Sequence, residues 1–104
     1  MPAFTEELFG PVASIIRVKD EAEALQVANS TSYGLGAAVF TEDLERGLRI
    51  ARSGLEAGAC FVNDFVKSDP RLPFGGTKNS GYGRELSEFG MHEFVNIKTV
   101  AVGV

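Results

Sequence analysis

The sequence predicts an α/β fold with a mainly parallel sheet in β-α-β-α-β order. Three observations carry this. Short runs at Val12–Val18, Gly36–Thr41 and Gly58–Asn63 are almost unbroken in small and apolar residues, as strands covered on both faces are. A stretch with helix-start chemistry follows each of the first two runs. The connections are short, which implies right-handed crossovers between strands that point the same way.

Taken in order, residues 1–11 are irregular and close on Gly10-Pro11. Val12-Ala-Ser-Ile-Ile-Arg-Val18 is the first expected strand. Asp20 is placed as a helix N-cap, with Glu23 three residues on completing a capping box. Glu21 to Ala24 are good helix formers, with the acids in the favourable first turn. Ala22, Leu25 and Ala28 give the helix a narrow apolar stripe, and Asn29 to Gly34 ends it. Gly36 to Thr41 is a second strand, so rich in small residues that a neighbour must pack close to it. Thr41 to Asp43 open a second helix, with Leu44, Leu48 and Ala51 at helical spacing and Gly54 as its stop. Gly58-Ala-Cys-Phe-Val-Asn63 is the third strand. A short helix interrupted by Gly90 is expected over Glu85–Phe94. Residues 95–104 read as a terminal strand, apolar on much of both faces, which needs a sheet edge to join.

Between the third strand and the last helix lies LPFGGTKNSGYGRE, residues 72–85, with Gly75, Gly76, Gly81 and Gly83. Glycine in an element interior costs about 0.5–1 kcal/mol relative to alanine, so this stretch is a loop. Loops of this length are either functional or disordered, and Phe74, Tyr82, Lys78, Arg84 and Glu85 argue for an ordered one. In parallel sheets ligands gather beyond the carboxyl ends of the strands. Residues 64–85 begin at such an end, which places the glycine loop at the rim of a site. Two phosphate-binding patterns fail on it. The Walker pattern needs Ser or Thr after Gly-Lys, whereas Lys78 follows Thr77 and precedes Asn79; the dinucleotide fingerprint lacks its third glycine after Gly81-Tyr-Gly83.

At 104 residues the chain is at most one domain and can bury a core. Its composition is that of a soluble globular protein, 44% apolar and 23% charged. A net charge of −4 argues against nucleic acid or an anionic membrane as partner. No apolar run reaches the roughly 20 residues of a membrane span, and the start lacks the features of a signal peptide. One cysteine, Cys60, and one histidine, His92, rule out an internal disulfide and a metal site built from those residues. These features point to a cytoplasmic protein. Cys60 lies mid-strand between Ala59 and Phe61, where cysteine behaves as a small hydrophobe rather than a nucleophile. His92 reads as a packing or surface residue. Glu6-Glu7 beside Phe9, ahead of the rigid Gly10-Pro11 turn, sets a carboxylate next to a flat ring, able to accept hydrogen bonds from a polyol and to pack against a planar group.

Glu6-Glu-Leu-Phe-Gly-Pro-Val12 and Pro73-Phe-Gly-Gly-Thr-Lys-Asn-Ser-Gly-Tyr-Gly-Arg-Glu85, in this order and two β-α units apart, resemble the C-terminal portion of the NAD(P)-dependent aldehyde dehydrogenase superfamily. The resemblance runs from residue 3 to residue 104, with Leu8 its one conservative departure in the first motif. Phe61 to Leu72 further resembles the succinate-semialdehyde dehydrogenase branch. The resemblance implies that Glu7 holds the nicotinamide ribose hydroxyls of NAD or NADP, that Phe9 borders the nicotinamide, and that Ser68 helps bind the substrate's distal carboxylate. It also implies two regions: 1–94 as the C-terminal part of the catalytic domain, and 95–104 as an oligomerisation strand extending a neighbouring subunit's sheet in a homo-oligomer. Family chemistry uses a cysteine thiolate to attack the aldehyde, hydride transfer to the nicotinamide, and a glutamate-activated water. The nucleophile belongs to a Gly-Gln-x-Cys segment that nothing here matches, so no catalytic residue is expected in this chain. It then reads as an inactive fragment of an enzyme whose substrate is succinate semialdehyde or a related aldehyde. Two other readings stay open: a non-catalytic assembly fragment, and an aldehyde dehydrogenase for uncharged aliphatic aldehydes.

Overall fold

One helical turn, α1 (Pro2–Thr5), opens the computed structural model, which describes residues 2–103. Asp20 then stands in extended backbone and its side chain accepts the Glu23 N–H at 2.8 Å, starting α2 (Glu21–Asn29) where the sequence places it. The Glu23 carboxylate accepts in turn from the Lys19 N–H at 2.8 Å, one residue earlier than the reciprocal bond of the standard capping box. α1 and α2 belong to the first of two compact units, Met1–Thr31; the second is Ser32–Val104.

The second unit carries β1 (Tyr33–Gly34), β2 (Gly36–Val39), α3 (Leu44–Arg49), β3 (Ala59–Val62), β4 (Thr77–Lys78) and α4 (Ser87–His92). Asp43 caps α3 by accepting the Arg46 N–H at 2.9 Å. The helix continues into a wider π turn over Ile50–Gly54, in which the Leu55 N–H reaches back five residues to the Ile50 carbonyl at 3.1 Å. Leu55 is extended, so the helix stops at Gly54 as its sequence position implies. β2 and β3 pair in parallel, Gly36 opposite Ala59 through Val39 opposite Val62. β1 and β4 form a separate antiparallel pair. Ile50, at the junction of α3 and the π turn, is the one large hydrophobic residue buried below a tenth of its surface among the described residues.

Two expected strands do not form as ladders among the described residues. Val12–Val18 is exposed throughout and pairs with nothing, and residues 95–103 are likewise exposed and unpaired; Val104 lies outside the described residues. A strand is defined by its neighbour's donors and acceptors, and an apolar run alone supplies neither. The fold is therefore mixed helix and strand, with one parallel pair, rather than a continuous three-stranded parallel sheet.

Candidate functional site

The carboxyl ends of β2 and β3 are tied together by one side chain. Asn63 follows β3 with φ 55°, in the left-handed region that asparagine tolerates better than most residues. Its backbone N–H donates to the Val39 carbonyl at 2.8 Å. Its side-chain oxygen accepts the Thr41 N–H at 2.8 Å, and its amide donates to the Thr41 carbonyl at 2.9 Å. The chain turns there into residues 64–71, the segment that holds Ser68.

Two acid–base pairs shape that segment. Asp64 binds the Lys67 ammonium at 2.6 Å and accepts the Phe65 N–H at 2.8 Å, and these contacts hold its carboxyl below its usual range. Asp69 receives the Arg71 guanidinium on both oxygens, at 3.0 and 2.7 Å, and the Arg71 N–H at 2.9 Å. That fork places the Asp69 carboxyl well below the ordinary carboxylate range. Ser68 is exposed between the two pairs.

The glycine loop is ordered and closed. Phe74 and Glu85 bridge its ends with two backbone hydrogen bonds, of 2.9 and 2.7 Å. Inside it, the Arg84 guanidinium donates to the Gly76 and Gly83 carbonyls at 2.9 and 2.7 Å, so the arginine satisfies the loop's own backbone. The loop is docked through Gly34, whose N–H donates to the Ser80 hydroxyl at 3.0 Å and whose carbonyl accepts the Gly58 N–H at 2.9 Å and the Thr77 hydroxyl at 3.3 Å. Lys78 pairs with Glu56 at 2.8 Å.

Between β3, the Ser68 segment and the start of the loop lies an open cleft of about 410 Å³, its walls including Cys60, Phe61, Asp64, Lys67, Asp69 and Phe74. Leu72 and Pro73, at the loop's entry, line the same cleft. Cys60 is half-buried with Sγ 3.8 Å from the Ala57 carbonyl, and burial pushes its thiol pKa up. Glu7 and Phe9 lie in the first unit, both exposed, with the Phe9 ring 94% open, just ahead of a turn in which Gly10 takes φ 136°. The Asn63 clamp and the Asp69–Arg71 fork are not found by sequence reasoning, although an Asn-Asp pair closing an apolar run is a turn signal.

Residues 1–100 match the aldehyde dehydrogenase family. The chain belongs to that family. It is 52% identical over 100 residues to the succinate semialdehyde dehydrogenase [NAD(P)+] Sad of Escherichia coli, covering 96% of this chain and 21% of the relative. It is 54% identical over 100 residues to the succinate-semialdehyde dehydrogenase [NADP(+)] of Deinococcus radiodurans, with the same coverage of 96% and 21%. The chain thus spans about a fifth of the length of the curated relatives it matches. Among solved structures, the succinic semialdehyde dehydrogenase of Streptococcus pyogenes in complex with NADP+ superposes with a TM-score of 0.91 at 46% identity, over 97% of this chain and 22% of that one. No helix among the described residues is long and apolar enough to cross a membrane.

Proposed function

We propose that this chain is the C-terminal portion of a cytoplasmic, NAD(P)-dependent aldehyde dehydrogenase that oxidises succinate semialdehyde to succinate. The observation that carries the reading is the identity of 52–54%, across nearly the whole chain, to enzymes named for that substrate. The net reaction consumes aldehyde, water and oxidised cofactor and yields acid, reduced cofactor and a proton. The nicotinamide, when bound, supplies the hydride acceptor.

The residues present fit their share of that work. Glu7 offers an exposed carboxylate for a ribose diol, and the open Phe9 ring offers a flat apolar face for the nicotinamide. The Ser68 hydroxyl, exposed between two charge-pinned turns, is a neutral donor for the substrate's far carboxylate. Cys60 takes no part in the chemistry, and the nucleophile belongs to a part of the enzyme other than residues 1–104.

In a full-length dehydrogenase that carries this segment, Ser68→Ala should raise the KM for succinate semialdehyde about tenfold, the size of one hydrogen bond to a charged group. The KM for an uncharged aldehyde of similar length should move less than about twofold, since that substrate has no carboxylate to bind. Equal KM values before and after substitution for succinate semialdehyde would move the reading to uncharged aliphatic substrates.

A second reading rests on exposure. Ile97, Val100 and Val102 are 79, 78 and 87% exposed, large apolar side chains left open along one terminal segment. Residues 95–104 then act as an oligomerisation strand apart from the catalytic portion 1–94, pairing with a sheet edge of a neighbouring subunit. Light scattering on the chain should show association that is lost on deleting 95–104; a mass unchanged by the deletion removes this role.

A further inference from the structure

Asn63 does more than end a strand. Its side chain makes the two hydrogen bonds a neighbouring peptide group would make, accepting from the Thr41 N–H and donating to the Thr41 carbonyl. Thr41 is itself committed to the next element, since its hydroxyl accepts the Asp43 N–H at 3.1 Å at the start of α3. One asparagine therefore fixes the end of β3 against the end of β2 and the entrance of α3. Its positive φ then sets the direction in which the chain leaves.

The segment that leaves is held to the same frame by two further contacts. Phe65 packs its ring on Phe40, centroids 5.8 Å apart and tilted by 58°, which couples the residue before Thr41 to the second residue after Asn63. Val66 sits over Gly36: a methyl built on Gly36 would stand 2.5 Å from the Val66 Cγ1, so glycine there leaves the room that Val66 occupies. Two residues on comes Ser68, and the Asp69–Arg71 fork closes the segment.

We infer that Asn63 is the positioning residue for Ser68, setting through its clamp on Thr41 where the serine hydroxyl stands for the substrate's distal carboxylate. This rests on the reading that Ser68 binds that carboxylate. Asn63 touches no substrate; it acts through the course of residues 64–68.

The test uses a full-length dehydrogenase carrying this segment, with Asn63→Gly, Asn63→Asp, Ser68→Ala and the Asn63→Gly/Ser68→Ala double variant. Glycine accepts the positive φ and removes both bonds, whereas aspartate keeps the acceptor for the Thr41 N–H but sets a carboxylate oxygen against the Thr41 carbonyl. Asn63→Gly is expected to raise the KM for succinate semialdehyde about five- to tenfold with kcat and the KM for an uncharged aldehyde within twofold, and Asn63→Asp to raise the KM for succinate semialdehyde at least as much. In the Ser68→Ala background Asn63→Gly should add nothing further, as required of a residue that acts only through the serine. Amide hydrogen exchange over residues 64–69 should speed up at least about tenfold in Asn63→Gly, reporting the loosened segment directly. Unchanged exchange, or equal shifts for charged and uncharged aldehydes, overturns the inference. An effect of Ser68→Ala without an effect of Asn63→Gly overturns it while leaving the Ser68 reading intact. No effect of Ser68→Ala overturns both.

Discussion

Gly58→Ala should destabilise the second unit by about 3 kcal/mol, with the glycine loop released from its seat. A methyl built at Gly58 overlaps the Gly75 carbonyl oxygen and stands 2.7 Å from that carbonyl's carbon and 3.1 Å from the Gly76 Cα. All three are backbone atoms, so no side chain can swing aside to make room. Relief requires residues 74–76 to move off the start of β3. That movement pulls on the contacts converging at Gly34, namely the Gly58 N–H and the Thr77 and Ser80 hydroxyls. Each such hydrogen bond contributes about 1 kcal/mol net, and overpacking adds about 1–3. Urea unfolding measures the change, with Gly103→Ala as the control because nothing lies within 4 Å of a methyl there. Proteolysis within residues 72–85 should accelerate in parallel. A loss below about 1 kcal/mol would mean that the loop slides without cost and that its docking does not depend on backbone contact at Gly58.

Local chemistry was legible in the sequence and distant partners were not. The caps at Asp20 and Asp43 act within three residues, so both helix starts are readable from spacing alone. The runs at Gly36 and Gly58 are short and apolar, and they do pair in parallel. Equally apolar runs at Val12–Val18 and over residues 95–103 remain unpaired among the described residues, because an apolar pattern by itself supplies no neighbouring donors and acceptors. Both runs stay exposed, with Ile15 at 89% and Val102 at 87%. In the glycine loop the pattern excludes a phosphate cradle, yet it does not reveal that Arg84 turns inward to cap two loop carbonyls. The Asn63 clamp spans 22 residues of sequence and has no local signature beyond a turn-forming pair. Glu7, Phe9 and Ser68 stand in a different class: their proposed roles come from family resemblance, and the structure adds their exposure and surroundings.

Supplied with succinate semialdehyde and NAD+ or NADP+, the 104-residue chain should form no reduced cofactor above a protein-free control. Thiol attack on an aldehyde needs a thiolate, which reactive cysteines obtain from a cationic neighbour, a helix N-terminus or an adjacent base. Cys60 is the chain's single thiol. It sits within β3 opposite Ala37, with Sγ toward the Ala57 carbonyl. Burial raises its pKa, which moves it away from the condition that catalysis needs. At pH 7.5 its thiolate fraction is therefore smaller than that of a free cysteine, and alkylation by iodoacetamide should be correspondingly slower, recovering only as pH rises past the raised pKa. The two measurements constrain each other. Slow alkylation together with no turnover is the expected pair. Turnover abolished by Cys60→Ser would make Cys60 a nucleophile despite its strand position, and would reassign the cleft along β3 from a wall beside Ser68 to the reacting centre itself.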